Sequence, residues 1–262
     1  MVSLVTGASS GIGEATARLL AGEAGAQLVL VARREERLRA LADELGGATI
    51  IAVDLTDAGA PAVVAEAVEH RHGRLDLLVN NAGAAWRGRF AEAGWENARR
   101  HMELNFDAPV RLTEALLPIL RRSAPSSIVN VSSTAGRVSR GNSGGYSASK
   151  FALAGWSDAL YAEERPHGVH VGLVLPGFVS TEGFPQRELR DRRRTRWALS
   201  TPERVAQAII EAGPGGKPER YVPRPYRLAA MARALVPGLV RRATAGSGLT
   251  PKTAGDETRS DD

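Results

Sequence analysis

No cysteine occurs in the 262 residues, so a disulfide framework, a thiolate zinc site and a thiol nucleophile are all excluded. Histidine is scarce too, five in all. The only close pairs are His70-x-His72 and His167-x-x-His170, neither with carboxylates in register. Both pairs read as surface residues and no metal is expected. No apolar run approaches the roughly 18 residues that span a bilayer. Met1 is followed at once by a strand-like run, which leaves no room for a signal peptide, and the expectation is a soluble, cytoplasmic protein. Aromatic residues make up only 5% of the chain and do not interleave with the arginines, so nucleic-acid binding is not expected. A serine hydrolase is not supported either. No histidine occupies a triad context that would activate Ser133, and no Gly-x-Ser-x-Gly elbow surrounds that serine.

What the chain has in quantity is aliphatic sequence. With 43% apolar residues it can bury a full core as one domain. Continuous Val/Leu/Ile runs at 2–6, 27–32, 48–53, 75–80, 126–132, 169–175 and 219–222 suit strands buried on both faces. Helical patterns fill the gaps near 12–24, 34–45, 59–72, 97–122, 145–165 and 202–212. This alternation predicts an α/β fold, a doubly wound parallel sheet of about seven strands of Rossmann type. One domain over residues 1–243 is expected, followed by a polar, aperiodic tail at 244–262 that reads as disordered.

Two local patterns carry chemistry. The first is Tyr146-Ser-Ala-Ser-Lys150, preceded 13 residues earlier by Ser133. Positions i and i+4 share a helix face, so a phenol and an ammonium stand side by side. A cation there favours the phenolate and makes proton transfer to or from an oxygen feasible near neutral pH. Taken alone, Tyr-x-x-x-Lys is also an ordinary surface pair. The second pattern is Gly7-Ala8-Ser9-Ser10-Gly11-Ile12-Gly13 between the first strand and the first helix. Glycines permit a tight turn and let N–H groups approach a pyrophosphate at the positive end of the helix.

The order of motifs resembles the short-chain dehydrogenase/reductase family, single-domain type. It runs Thr6-Gly7-x-x-x-Gly11-x-Gly13, Asp54-Leu55, Asn80-Asn81-Ala82-Gly83, Asn105, Ser133, Tyr146-x-x-x-Lys150 and Pro176-Gly177-x-Val179-x-Thr181. The resemblance covers residues 2 to about 181 closely. It implies hydride transfer between a nicotinamide and a ketone or secondary alcohol. In that scheme Ser133 binds the substrate oxygen, Tyr146 is the general acid/base, Lys150 holds the nicotinamide ribose and lowers the tyrosine pKa, and Asn105 completes a water relay from an irregular helix. Ser132, beside Ser133, is the weaker candidate because neighbouring strand residues face opposite sides. The resemblance also implies that Gly7, Ser9, Ser10, Gly11, Ile12 and Gly13 bind cofactor phosphates. Asp54 and Leu55 contact the adenine. Asn81, Ala82 and Gly83 approach its ribose, and Pro176, Gly177, Val179 and Thr181 meet the nicotinamide and pyrophosphate. Asp54 also suits a turn cap.

At the end of the second strand Ala32 offers no carboxylate for a ribose 2′-hydroxyl, and Arg33 offers a planar fork suited to phosphate. NADP is therefore favoured over NAD, although Arg33 and Arg34 also read as solvated charges opening a helix with Glu35 and Glu36. Residues 182–200, the family's substrate lid, hold six arginines against three acids. They suit either an acidic substrate or a solvated face. Residues 224–242 place Leu228, Met231, Ala232, Leu235 and Leu239 at helical spacing among arginines. Packing on the protein or a subunit is the first reading, and contact with an anionic membrane surface the second. The family habit implies a homodimer or homotetramer through the long helices near 97–122 and 145–165, with Gly155 and Ala159 permitting close approach. The rival to a small-molecule carbonyl/alcohol enzyme is a catalytically silent NADP(H)-binding regulatory or scaffold protein. Intact Ser133, Tyr146 and Lys150 argue against it.

Overall fold

In a computed structural model, which describes residues 1–179 and 199–246, the aliphatic runs form strands and the segments between them form helices. In chain order these are β1 (Val2–Thr6), α1 (Gly11–Ala21), β2 (Gln27–Ala32), α2 (Glu35–Glu44), β3 (Thr49–Ala52), α3 (Ala60–His72), β4 (Leu77–Asn80), α4 (Phe90–Met102), α5 (Ala108–Arg122), β5 (Ser126–Val131), α6 (Gly144–Glu164), β6 (Val169–Pro176), β7 (Phe178–Val179), β8 (Leu199–Ser200), α7 (Pro202–Ala212), β9 (Glu219–Val222), α8 (Tyr226–Leu235) and α9 (Pro237–Gly246). Seven strands pair in parallel in the order β3-β2-β1-β4-β5-β6-β9, and β7 pairs with β8 apart from them.

Alternate strand residues feed two separate cores, as a period of two requires. Val5, Leu30, Val79 and Val129 pack with Leu20 of α1, Leu38 of α2 and Ile209 of α7. Their neighbours Leu4, Val29, Leu78 and Ile128 pack on the other face with Val64 of α3, Leu112 and Leu116 of α5, and Leu160 of α6. The chain moves outward from β1 through β2 to β3, then returns to the other side of β1 with β4. The carboxyl ends of β1 and β4 therefore flank the point where strand order reverses, which is where such sheets leave a crevice.

Three expectations are corrected. The single helix expected at 97–122 is two helices joined by a π-helical turn, Glu103–Asp107, and α4 begins at Phe90 across a break at Gly94 (φ 61°). Thr244–Gly246, which the sequence placed in a disordered tail, close α9, and Thr244 Oγ1 donates to Val240 O at 3.0 Å; residues 247–262 fall outside the described residues. Two histidines read as surface residues are half-buried and bonded. His72 Nε2 lies 3.0 Å from Thr49 Oγ1, and His170 Nε2 donates to Ala212 O at 2.9 Å. Thr181 and the lid arginines fall outside the described residues, and of the lid only Leu199 and Ser200 are described, as β8.

Candidate active site

Thr6, the last residue of β1, ties the first turn to the fourth strand. Its Oγ1 accepts from the N–H groups of Asn81 and Ala82, both at 2.9 Å, and its carbonyl accepts from Asn81 Nδ2 at 2.8 Å. Gly7 (φ 66°) and Gly11 (φ 57°) hold left-handed backbone that favours glycine. A Cβ on Gly13 would lie 2.3 Å from Gly7 O, so only hydrogen fits where α1 crosses the turn. No side chain caps α1 at Ser10. Its first N–H groups are left for an anion, so the donor set fits a dinucleotide pyrophosphate.

Beside this turn lie the arginines that follow β2. Arg34 donates to Ser9 Oγ at 3.1 Å and Ser10 Oγ at 2.8 Å. Arg33, exposed, reaches Asp54 Oδ2 at 3.4 Å. Asp54 does what a turn cap does, accepting from Thr56 N–H at 3.0 Å and Thr56 Oγ1 at 2.7 Å. It is partly desolvated, yet those bonds and Arg33 hold its carboxyl below the usual range. Leu55 is buried in the core under α3 and α5. Guanidinium and hydroxyl donors on one side of the turn match a phosphate ester better than a neutral sugar.

Farther along the same cleft, Ser133 opens a short 3₁₀ turn, Thr134–Gly136, with Oγ accepting from Ala135 N–H at 3.1 Å. The Ser133 hydroxyl donates to Pro176 O at 3.3 Å and faces the Tyr146 phenol, which it acts on to lower the pKa. Ser132 faces the other way and donates to Lys150 O at 2.8 Å. A Cβ on Gly136 would sit 2.5 Å from that same carbonyl, so the serine turn and α6 are in backbone contact. Lys150 Nζ, buried, donates to Val131 O at 2.9 Å, and burial pulls its pKa down to about 8. Burial also pushes the Tyr146 phenol up, opposed by Ser133 and the charge of Arg87. Desolvation wins here, and the opposing cation comes from another loop.

Asn105 lies buried in the π turn. Its side chain accepts from Ala84 N–H and donates to Ala84 O, both at 3.0 Å, and donates to Ser149 Oγ at 3.1 Å. A Cβ on Gly83 would meet Asn105 Oδ1 at 2.9 Å and Lys150 Nζ at 3.4 Å, so this glycine leaves room between the two. Gly177 is small for a different reason: a Cβ there would strike the Tyr226 ring at 2.3 Å. The cleft, about 600 Å³, runs from Gly7 through Asn81–Gly83 to Ser133, Tyr146, Lys150, Pro176 and Val179.

Four lining or supporting residues were not singled out from sequence. Arg34 sits on the serines. Arg87 and Arg140 line the cleft near Tyr146. His101 is fully buried, its ring centroid 6.0 Å from that of Tyr146. Nε2 of His101 accepts from Trp86 N–H at 2.9 Å and Nδ1 donates to Asn97 O at 2.7 Å, which fixes a neutral ring. Burial lowers its pKa, with Arg100 and Lys150 adding to the effect. Only the adjacency of Arg34 to Arg33 was a readable signal. The other three depend on contacts across the fold.

Sheet, crevice and the Ser–Tyr–Lys cluster together define a Rossmann-type oxidoreductase. The family model for short chain dehydrogenase matches residues 1–191. Dehydrogenase/reductase SDR family member 7B of Bos taurus is 34% identical over 258 residues, 92% of this chain and 79% of that protein. A short-chain dehydrogenase from Streptomyces avermitilis superposes with a TM-score of 0.76 at 33% identity, over 93% of this chain and 97% of that one. An actinorhodin polyketide ketoreductase with NADPH gives 0.77 at 32%, over 84% and 95%. This chain belongs to the short-chain dehydrogenase/reductase family, whose members bind a nicotinamide cofactor.

Proposed function

We propose that this oxidoreductase interconverts a ketone and a secondary alcohol with NADP(H), with Tyr146 moving the proton. The observation that carries the reading is that Ser133 and Tyr146 line one cleft, with Lys150 buried one helical turn beyond the tyrosine. When bound, the nicotinamide supplies or accepts the hydride. The remaining work falls to side chains. Ser133 Oγ, oriented by Ala135 N–H, holds the substrate oxygen beside Tyr146 Oη, and Tyr146 Oη delivers the proton to that oxygen. Burial of the phenol keeps the proton in place until transfer. The ammonium of Lys150 holds the nicotinamide ribose and stabilises the phenolate left behind. Asn105 fixes the π turn against Ala84 and Ser149, so that backbone behind Lys150 is free to carry a relay water.

NADP is favoured by Arg33 and Arg34, gathered with Ser9 and Ser10 where a 2′-phosphate would lie, and by Ala32 in place of a carboxylate. The related ketoreductase with NADPH supports the same choice. We also infer a homodimer or homotetramer through α5 and α6, because Phe151, Gly155 and Ala159 lie exposed on one face of α6.

The test is loss of NADPH absorbance against a panel of ketones and aldehydes, repeated with NADH and with Tyr146→Phe. Removing a general acid costs about 10²–10⁴ in rate. The variant is expected to lose that much while binding NADPH within a few-fold of the parent. Turnover by Tyr146→Phe at the parent rate would overturn the reading.

A further inference from the structure

Among the described residues, helices α8 and α9 meet the body through the first turns of α8. Tyr226, at the start of α8, is buried against Gly177 and lies with Arg140 around one small cavity beside the cleft. Beyond it Leu228, Met231, Leu235, Val236 and Leu239 are each 47–77% exposed. At about 100° per residue, Leu228, Met231 and Leu235 fall within an arc of about 60° on one side of α8. Packing on the protein's own core, the first expectation for this segment, is therefore not what the fold does.

The charges are as one-sided as the apolar residues. Arg224, Arg227, Arg233, Arg241 and Arg242 lie in or next to these two helices, and the sequence from 220 to 255 contains no Asp or Glu. None of the five forms an ion pair among the described residues. A second copy docked on this face by two-fold symmetry would bring two acid-free sets of arginines together. Bare apolar side chains flanked by cations suit an anionic lipid surface, which buries the former and neutralises the latter. No described helix is long and apolar enough to cross a membrane, so contact is with the surface.

We propose that α8 and α9 form a peripheral docking surface for anionic phospholipid, with Leu228, Met231, Leu235 and Leu239 entering the headgroup region and Arg227, Arg241 and Arg242 pairing with lipid phosphates. The surface is rooted next to the cleft through Tyr226 and Arg140. It stands independently of the proposed reaction, since lipid binding is read without substrate.

Flotation of the full chain with vesicles tests it. The protein should rise with phosphatidylcholine vesicles containing phosphatidylglycerol, stay down with phosphatidylcholine alone, and be released by salt. The variant R227Q/R241Q/R242Q should bind roughly five-fold less per arginine removed, and L228A/L235A/L239A should lose binding as well. All six side chains are exposed, so melting temperature should not change. If a triple variant fails to fold, the lipid and salt dependence of the parent decides. Absence of flotation with anionic vesicles would overturn the proposal. So would equal binding by the variants, or a fall in oligomer mass by light scattering in the leucine variant, which would show a second copy on this face.

Discussion

Lys150 is placed where its charge is costly: it is 4% exposed, and burial brings its pKa from 10.5 to about 8. Below pH 8 it is charged in both folded and unfolded chains, and the whole cost of burying the ammonium is present. Between about 8 and 10.5 the folded lysine loses its proton first, so this cost falls as pH rises. The shift corresponds to about 3 kcal/mol. Lys150→Met is therefore expected to raise the melting temperature at pH 7, by an amount that shrinks toward pH 10, while abolishing NADPH-dependent turnover. Paired thermal melts of variant and parent across that range check the sign, since other titrations cancel. Arg34 belongs to the same scale. If its fork on Ser9 and Ser10 becomes a phosphate contact, Arg34→Ala should raise the KM for NADPH by about 10- to 100-fold and leave that for NADH nearly unchanged. Steady-state kinetics with both cofactors decide it.

At the scale of elements, backbone contact matters more than side-chain identity. Gly13 lets α1 cross the glycine turn, and Gly136 lets the Ser133 turn sit on α6 at Lys150. Gly13→Ala forces a methyl against Gly7 O at 2.3 Å, overpacking that costs about 1–3 kcal/mol. A melting temperature lower by several degrees is expected, along with much weaker NADPH binding by fluorescence titration. Strand limits were legible to within about two residues because strands buried on both faces read as unbroken aliphatic runs. The π turn was not. Its irregularity is held by Asn105 bonding to Ala84 and Ser149, 21 and 44 residues away, and no local pattern reports such partners.

For the whole molecule, the proposed assembly and the proposed lipid docking would use different faces, one on α6 and one on α8 and α9. A Cβ at Gly155 meets nothing within 4 Å, so Gly155→Glu should leave the monomer folded and break association at α6. Light scattering should show the parent as a dimer or tetramer and the variant as a smaller species, with melting close to the parent's. What the sequence determined alone was the order and kind of elements, the glycine turn and the Ser133, Tyr146 and Lys150 set, because these depend on spacing along one strand or helix. Tertiary structure decided which charges share a space. It brought Arg34 to Ser9 and Ser10, Arg87 toward Tyr146, and His101 beneath Trp86. Among the described residues it also left Leu228, Met231 and Leu235 of α8 exposed. Burial then reversed the simplest electrostatic expectation for Tyr146, since desolvation depends on every element packed around a group and not on its neighbour one helical turn away.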